Sequence, residues 1–207
     1  MMKTNFCKII GLLSAGIVVF SLVSSTALAV NNLLINPGAE TGDLTGWKES
    51  GNDAVIGVWE SGSGSDLAGS DVGIHSGDKL FVPSKSFTGP STAMLYQDVE
   101  ASSFQVGDVF EASCYAHACE PEPAGQDFCR LYLEFIAPNG DFVYKADGTS
   151  EAYWVDYAGT EWERISVTGA MPEGTKWVRV ILRGYNKDGG NYANAFFDDV
   201  SLINLGQ

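Results

Sequence analysis

The sequence is poor in positive charge: 12 lysines and arginines stand against 26 acidic residues, a formal net charge of −14. A chain this acidic repels nucleic acid and anionic membrane surfaces, so its partner is expected to be neutral, cationic, or met by a local basic patch. Histidine is scarcer still, with only His75 and His117. A Ser-His-Asp triad would have to use one of them, and no G-x-S-x-G elbow, phosphate loop or dinucleotide fingerprint is present. Of four cysteines, Cys7 lies in the N-terminal segment, leaving Cys114, Cys119 and Cys129. An odd number implies one pair and one thiol. Three cysteines without a clustered histidine make a poor zinc site. Cys114–Cys129 would join two apolar strand faces, whereas Cys119–Cys129 would staple the loop CEPEPAGQDFC; the spacing leaves the pairing open. There is one long apolar run, IIGLLSAGIVVFSLV from Ile9 to Val23, preceded by Lys3 and Lys8 and followed by Ala27-Leu28-Ala29. That is the form of a secretory signal peptide, so residues 1–29 are expected to be removed, which takes the formal charge to −16. The run falls at the short edge of the ~20 residues a membrane span requires, which makes an uncleaved anchor the competing reading. No membrane association is expected after cleavage. The expected location is extracellular or periplasmic.

What is abundant is glycine, 24 residues, together with Ser, Asn and Asp clusters that punctuate short runs of alternating apolar and polar residues. No run repeats every third or fourth position, as a helix would require. Residues 30–207 therefore read as one all-β domain, a two-sheet antiparallel β-sandwich or jelly roll. Strands are expected at 32–36, 54–60, 78–82, 93–100, 108–117, 129–137, 141–145, 161–168, 176–184 and 195–204. Alternation assigns faces, because a one-residue slip would reverse them. In VFEASCYAH, Phe110, Ala112, Cys114 and Ala116 share one face, opposite Glu111, Ser113, Tyr115 and His117. In CRLYLEF, Cys129, Leu131, Leu133 and Phe135 oppose Arg130, Tyr132 and Glu134. In WVRVILRGY, Val178, Val180 and Leu182 oppose Trp177, Arg179, Ile181, Arg183 and Tyr185.

Five motifs recur in order: NLLINPGAETGDLTGW (32–47), GIHSGDKLFV (73–82), YQDV (96–99), EWERISV (161–167) and FFDDVSL (196–202). Together they resemble the secreted carbohydrate-binding modules of families four and nine, which have the galactose-binding-like jelly-roll fold. The resemblance covers nearly all of residues 30–207. It implies a non-catalytic polysaccharide-binding module whose cleft is a concave sheet face, with a structural calcium ion near the joined termini. By position, Glu40 and Asp198 are the implied side-chain ligands. Gly42 and the Ser76-Gly77-Asp78 turn are implied sources of further oxygens, Asp78 among them, and Asp199 is a second choice. Calcium requires six to eight oxygen ligands, and a core-directed Asp198, sharing a face with Val200 and Leu202, would need a cation or hydrogen bonds to neutralise it. The competing reading has Glu40 capping a turn and Asp198 pairing with a lysine.

Saccharide recognition needs flat aromatic faces and planar polar groups. Tyr115, His117, Arg130, Tyr132, Glu134, Arg179, Arg183 and Tyr185 supply this mix if their strands are neighbours in one sheet. Three arginines on that surface raise uronic-acid-bearing polysaccharide as a ligand, since guanidinium forks bind carboxylates. Cross-strand pairing with Glu111 and Glu134 is the competing reading. Trp154 and Tyr157, in a loop EAYWVDYAG, are read as either loop packing or a ligand platform. Trp47 is expected in the core, Trp162 at a sandwich edge, and Trp59 at a strand end. Adjacent Asp198 and Asp199 face opposite ways and cannot flank one glycosidic bond; Glu134 with Glu111 remains the less favoured route to hydrolysis. The expected protein is a monomeric glycan binder. A structural or adhesive sandwich is the alternative.

Overall fold

The computed structural model describes residues 31–50, 56–60, 72–83, 91–118, 127–143, 152–186 and 195–207. Strands β1 (Lys48–Ser50), β2 (Ile56–Glu60), β3 (Lys79–Pro83), β4 (Ser91–Glu100) and β5 (Val109–Ala118) make the first half. Strands β6 (Asp127–Ile136), β7 (Ala152–Tyr157), β8 (Glu163–Ala170), β9 (Trp177–Asn186) and β10 (Ala195–Gly206) make the second. A 3-10 turn at Ala101–Ser103 follows β4. Among the described residues no helix is long and apolar enough to cross a membrane. The strands form two five-stranded sheets, ordered β1-β4-β9-β6-β7 and β2-β3-β10-β5-β8, with antiparallel pairing. This is the two-sheet sandwich that the alternation predicts.

Leu95, Leu131, Leu133, Phe135, Val180 and Leu182 from the first sheet meet Phe81, Phe110, Ala112, Cys114, Phe197 and Leu202 from the second in one core. Trp47 is 6% exposed and packs against Phe81 with ring centroids 5.0 Å apart, and its indole N–H donates to the Asn36 carbonyl at 3.0 Å. It is the core residue the sequence implies, with its one polar atom satisfied. Cys114 is a free thiol inside this core, so it does not bridge to Cys129; Cys119 lies outside the described residues.

Three expectations change. Residues 32–36 form no strand. Asn36 and Ala39 adopt φ of 49° and 61° around Pro37, so the segment turns instead of extending. Of the expected strand at 141–145, the described residues 141–143 hold one bridge, Ile136 to Phe142, and 144–145 lie outside the described residues. The expected loop 151–159 contains β7, where Tyr153, Val155 and Tyr157 pack inward while Trp154 and Asp156 are exposed. The side chain of Trp59 lies outside the described residues, as do residues 1–30.

The first described segment is joined to β10 by hydrogen bonds. Leu33 N–H donates to the Leu202 carbonyl at 2.9 Å, and Val200 N–H to the Pro37 carbonyl at 2.9 Å. The Asn32 side chain bridges both partners: its amide N–H donates to the Val200 carbonyl, and its oxygen accepts from Leu34 and Leu202 N–H.

Candidate functional site: an aromatic and charged cleft on one sheet

Strand register places the outward residues of the first sheet in rows that cross it. One row runs Lys48, Tyr96, Ile181, Tyr132, Trp154. A second runs Ser50, Met94, Arg183, Arg130, Asp156, and a third Asp98, Arg179, Glu134, Ala152. The inner members of these rows line a cleft of about 500 Å³: Met94, Arg130, Tyr132, Glu134, Ala152, Trp154, Arg179, Ile181 and Arg183, joined by Phe142. Its floor is buried although it belongs to an outer face: Tyr132 is 9%, Ile181 8% and Glu134 5% exposed. Trp154 at the rim is 56% exposed, an open indole of the kind that marks a ligand platform. The loop read for Trp154 is thus corrected to a strand edge.

The arginines are held by a tyrosine pair and by aspartates. Arg130 donates from Nε and Nη2 to the two Asp156 carboxylate oxygens, and from Nη1 to the hydroxyls of Tyr132 (3.0 Å) and Tyr185 (3.1 Å). Those hydroxyls are 2.8 Å apart, and Arg183 Nη1 donates to the Tyr132 hydroxyl at 3.3 Å. Burial, followed by the Tyr132 hydrogen bond, pushes the Tyr185 phenol up to about 12, so it stays neutral. Tyr185 stacks on Phe128 at 4.3 Å, with the Arg130 and Arg183 guanidinium groups over its ring. Arg179 donates to both Asp98 oxygens, at 2.6 and 3.3 Å, and Lys48 donates to Asp98 as well. Burial works to raise the Asp98 carboxyl, but the Arg179 and Lys48 hydrogen bonds outweigh it and hold the group below the usual carboxylate range. The pairing expected with Glu111 and Glu134 is therefore corrected: Asp98 and Asp156 take the arginines, while Glu111 accepts from Arg164 on the other sheet at 2.6 Å.

Glu134 stands apart. It accepts no hydrogen bond from the described residues, and burial pushes its carboxyl up to about 7, offset in part by the charges of Arg179 and Arg183. Its oxygens are not among the fully enclosed unpartnered atoms of the described residues, so they stay open to the cleft that it lines.

Tyr115 and His117 do not belong to this surface. Alternation gives their face correctly, but β5 pairs with β10 and β8 in the second sheet, so they point away from the cleft. His117 is 9% exposed and packs against Trp162 and Phe196, while Tyr115 stacks on His75 with ring centroids 3.5 Å apart. Trp162 donates its indole N–H to the Gly73 carbonyl at 2.8 Å. Burial lowers the His117 imidazole, keeping it neutral. These are packing residues of a small second cluster built on Leu80, Val82 and Phe196.

The carboxylates near the termini gather at one turn. The Glu40 carboxylate accepts the backbone N–H of Asp78 and Lys79 at 3.1–3.2 Å. Gly77, at φ +63°, lies against it so closely that any Cβ there would collide with the carboxylate. Asp198 accepts from Ser76 N–H at 3.0 Å and from Asp199 N–H at 2.7 Å. A Cβ placed on Gly38 would lie 3.6 Å from Glu40 Cγ and 3.8 Å from an oxygen of each of Asp198 and Asp199. Two carboxylates thus flank Gly38, while the Glu40 carboxylate lies against Gly77. Gly42 has the Lys79 ammonium as neighbour, and Asp78 enters through its backbone N–H. Burial leads in pushing the Asp198 carboxyl up to about 6.

The core-directed reading of Asp198 is corrected. β10 carries a bulge, with Asp199 at φ +47° and a register shift between Asp198 and Ser201. Phe197 and Val200 both enter the main core, while Phe196 joins the second cluster. The inserted residue changes the phase, so Asp198 shares the outer face of Phe196 and is covered by the Ser76 turn. The bulge also exposes Asp199, which accepts from Ser76 Oγ at 2.8 Å and meets His75 Nδ1 at 2.9 Å. His75, Asp198 and Asp199 bring one ligand atom each within 4.8 Å of one another. Sequence reasoning did not include His75; its one signal was adjacency to the Ser76-Gly77-Asp78 turn.

No protein-family model and no curated protein matches the chain. Solved structures do. The xylan-binding CBM22-1 domain of Paenibacillus barcinonensis Xyn10C is 14% identical, with a TM-score of 0.54 over 87% of this chain and 99% of that one. TmCBM61, solved with β-1,4-galactotriose, is 19% identical, with a TM-score of 0.53 over 84% and 99%. The enzymatically active domain of bacteriophage CBA120 tailspike protein 4 is 15% identical, with a TM-score of 0.58 over 84% of this chain but only 21% of that one. At such identities the common property is architecture: the chain has the antiparallel β-sandwich fold found in these carbohydrate-binding modules.

Proposed function

We propose that the chain is a secreted, non-catalytic carbohydrate-binding protein that holds polysaccharide in the cleft of the β1-β4-β9-β6-β7 sheet, acting as a monomer in the extracellular or periplasmic space. The observation that carries this is the pairing of the exposed Trp154 with the donorless Glu134 in one cleft. An indole platform stacks on the C–H face of a pyranose, and a buried carboxylate accepts its hydroxyls. The neighbouring folds named above belong to families 61 and 22; the likeness to families four and nine rests on the paired terminal motifs.

The proposal includes a structural calcium ion at the Glu40–Asp198 turn. The residues present fit it in part: Asp198 is fully buried with only backbone N–H donors on its oxygens, and Asp199 lies beside it, while both Glu40 oxygens already accept backbone N–H groups of the Asp78 turn and the third group within ligand reach of the two aspartates is His75. Glu40 and Asp198 would hold the ion, with oxygens of the Gly42 and Asp78 turns completing the shell. Bound calcium would neutralise the carboxylates and tie the N-terminal turn to β10.

One observation favours a second reading. Glu134, held near neutrality in the cleft, stands on the same sheet face as ionised Asp98, one strand beyond Arg179, a contrast of protonation that glycoside hydrolases use. Asp98, however, is engaged by Arg179 and Lys48, which leaves it poorly placed to activate water. A glycan array run with and without chelator tests the main reading, and reducing-sugar release tests the second. Binding without cleavage, lost in Trp154→Ala, is expected. Failure to retain any glycan would leave the structural or adhesive alternative.

A further inference from the structure

We propose that Asp98 and Asp156 set the ligand class of the cleft, reserving it for uncharged saccharides by occupying the guanidinium edges that would otherwise receive a uronate. This rests on the glycan-binding reading above and narrows it. A guanidinium has five N–H donors and binds a carboxylate through two of them in parallel. Arg130 commits four: two to Asp156 and two to the tyrosine hydroxyls. One N–H remains, which can meet a sugar hydroxyl but cannot form a fork. Asp98 takes the Nε edge of Arg179 in the same way. The charge of Arg183 faces Glu134, which is itself a potential anion on the cleft floor. A uronate would have to displace a resident aspartate and approach a second carboxylate, within a chain of net charge −14. A neutral sugar needs neither: its hydroxyls meet single N–H donors and the Glu134 oxygens. The geometry therefore takes Arg130 and the Nε edge of Arg179, two of the three arginines that in the sequence suggest an acidic ligand, out of use as carboxylate forks.

The test uses the full chain and three variants, Asp156→Asn, Asp98→Asn and the double substitution. Each is measured by affinity electrophoresis against glucuronoxylan, polygalacturonate and alginate, and against the carboxyl-reduced form of each polymer. The unmodified protein is expected to bind at least one reduced polymer tenfold or more tightly than its uronate parent. Asp156→Asn, on an exposed rim, keeps the fold and is expected to raise the uronate-to-neutral affinity ratio at least tenfold, with the gain lost in high salt. Equal or tighter binding of the uronate parents by the unmodified protein overturns the inference. So does a ratio unchanged in Asp156→Asn together with either folded Asp98→Asn variant. Absence of binding to every polymer by all four proteins removes the glycan-binding reading itself, a different failure.

Discussion

Replacing Glu134 by glutamine should make the protein more stable and a worse binder. The carboxyl is raised from 4.5 to about 7 because burial in the folded chain outweighs the charges of Arg179 and Arg183. At ~1.36 kcal/mol per pH unit, that displacement places on the order of 3 kcal/mol against the folded state once the group ionises. The sign follows from proton counts. Between pH 4.5 and about 7 the folded protein binds more protons at this site than the unfolded chain, so stability falls as pH rises through that window. Below it the penalty is absent; above it the penalty is complete and constant. Glutamine carries no charge at any pH, and its amide stands in the same position as the protonated carboxyl from which that penalty is measured. The gain at pH 8 is therefore on the order of 3 kcal/mol, or ~6–12 °C in Tm for a domain of this size. The more telling readout is slope. The decline in Tm from pH 5 to pH 8 should be visibly flatter in Glu134→Gln, though not removed, because Asp198, raised to about 6, titrates with the same sign. Binding should move the other way. Loss of charge-assisted hydrogen bonds worth ~1.5–3 kcal/mol weakens the Kd for glycan by ~10- to 150-fold. Differential scanning fluorimetry across pH with isothermal titration calorimetry reads both. A variant less stable than the parent at pH 8, or one with an unchanged pH slope, would refute the reasoning, since either result means the carboxylate is satisfied inside the fold.

Other perturbations separate the two sheets and the turn. Trp154→Ala should reduce glycan affinity by about tenfold or more while moving Tm by less than ~2 °C, because the indole is mostly exposed. Tyr115→Ala should do the reverse, lowering stability by ~1–3 kcal/mol through loss of the His75 stack and leaving affinity unchanged in calorimetry. Chelator should lower Tm at pH 7.5 by the equivalent of ~3 kcal/mol when free calcium had stood at ~100 times its Kd. That difference should fade as pH drops through about 6, where protons compete for Asp198, and should vanish in Asp198→Asn. The Cys114 thiol, fully buried and with its pKa pushed well up by that burial, should ignore a thiol reagent in the native protein and react once denaturant is added.

How far the sequence could be read depended on whether the information was local. Alternation along CRLYLEF and WVRVILRGY assigned Arg130, Tyr132, Glu134, Arg179 and Arg183 to outward faces, because side-chain direction in a strand depends only on parity. Sheet membership is not local. Nothing in VFEASCYAH distinguishes a strand beside β6 from one beside β10, so Tyr115 and His117 were grouped with a cleft that lies on the other sheet. Parity itself failed at Asp199, where one inserted residue reversed the phase of everything before it; two consecutive aspartates give no warning of a bulge. Asp98 and Asp156 went unnoticed as arginine partners for the same non-local reason, since each lies on a strand adjacent to its guanidinium only after the sheet is assembled. In AYWVDY the inward Tyr153, Val155 and Tyr157 did carry a strand signal, masked by the flanking loop residues.

The seam made by Asn32, Leu33 and Leu202 fixes both ends of the folded body to the layer that does not carry the cleft. Whatever is tethered to the chain near this seam, whether a neighbouring domain, a matrix or a sensor surface, therefore starts from the back of the molecule. The indole-rimmed trough then looks outward, free to meet polymer strands too large to diffuse to it.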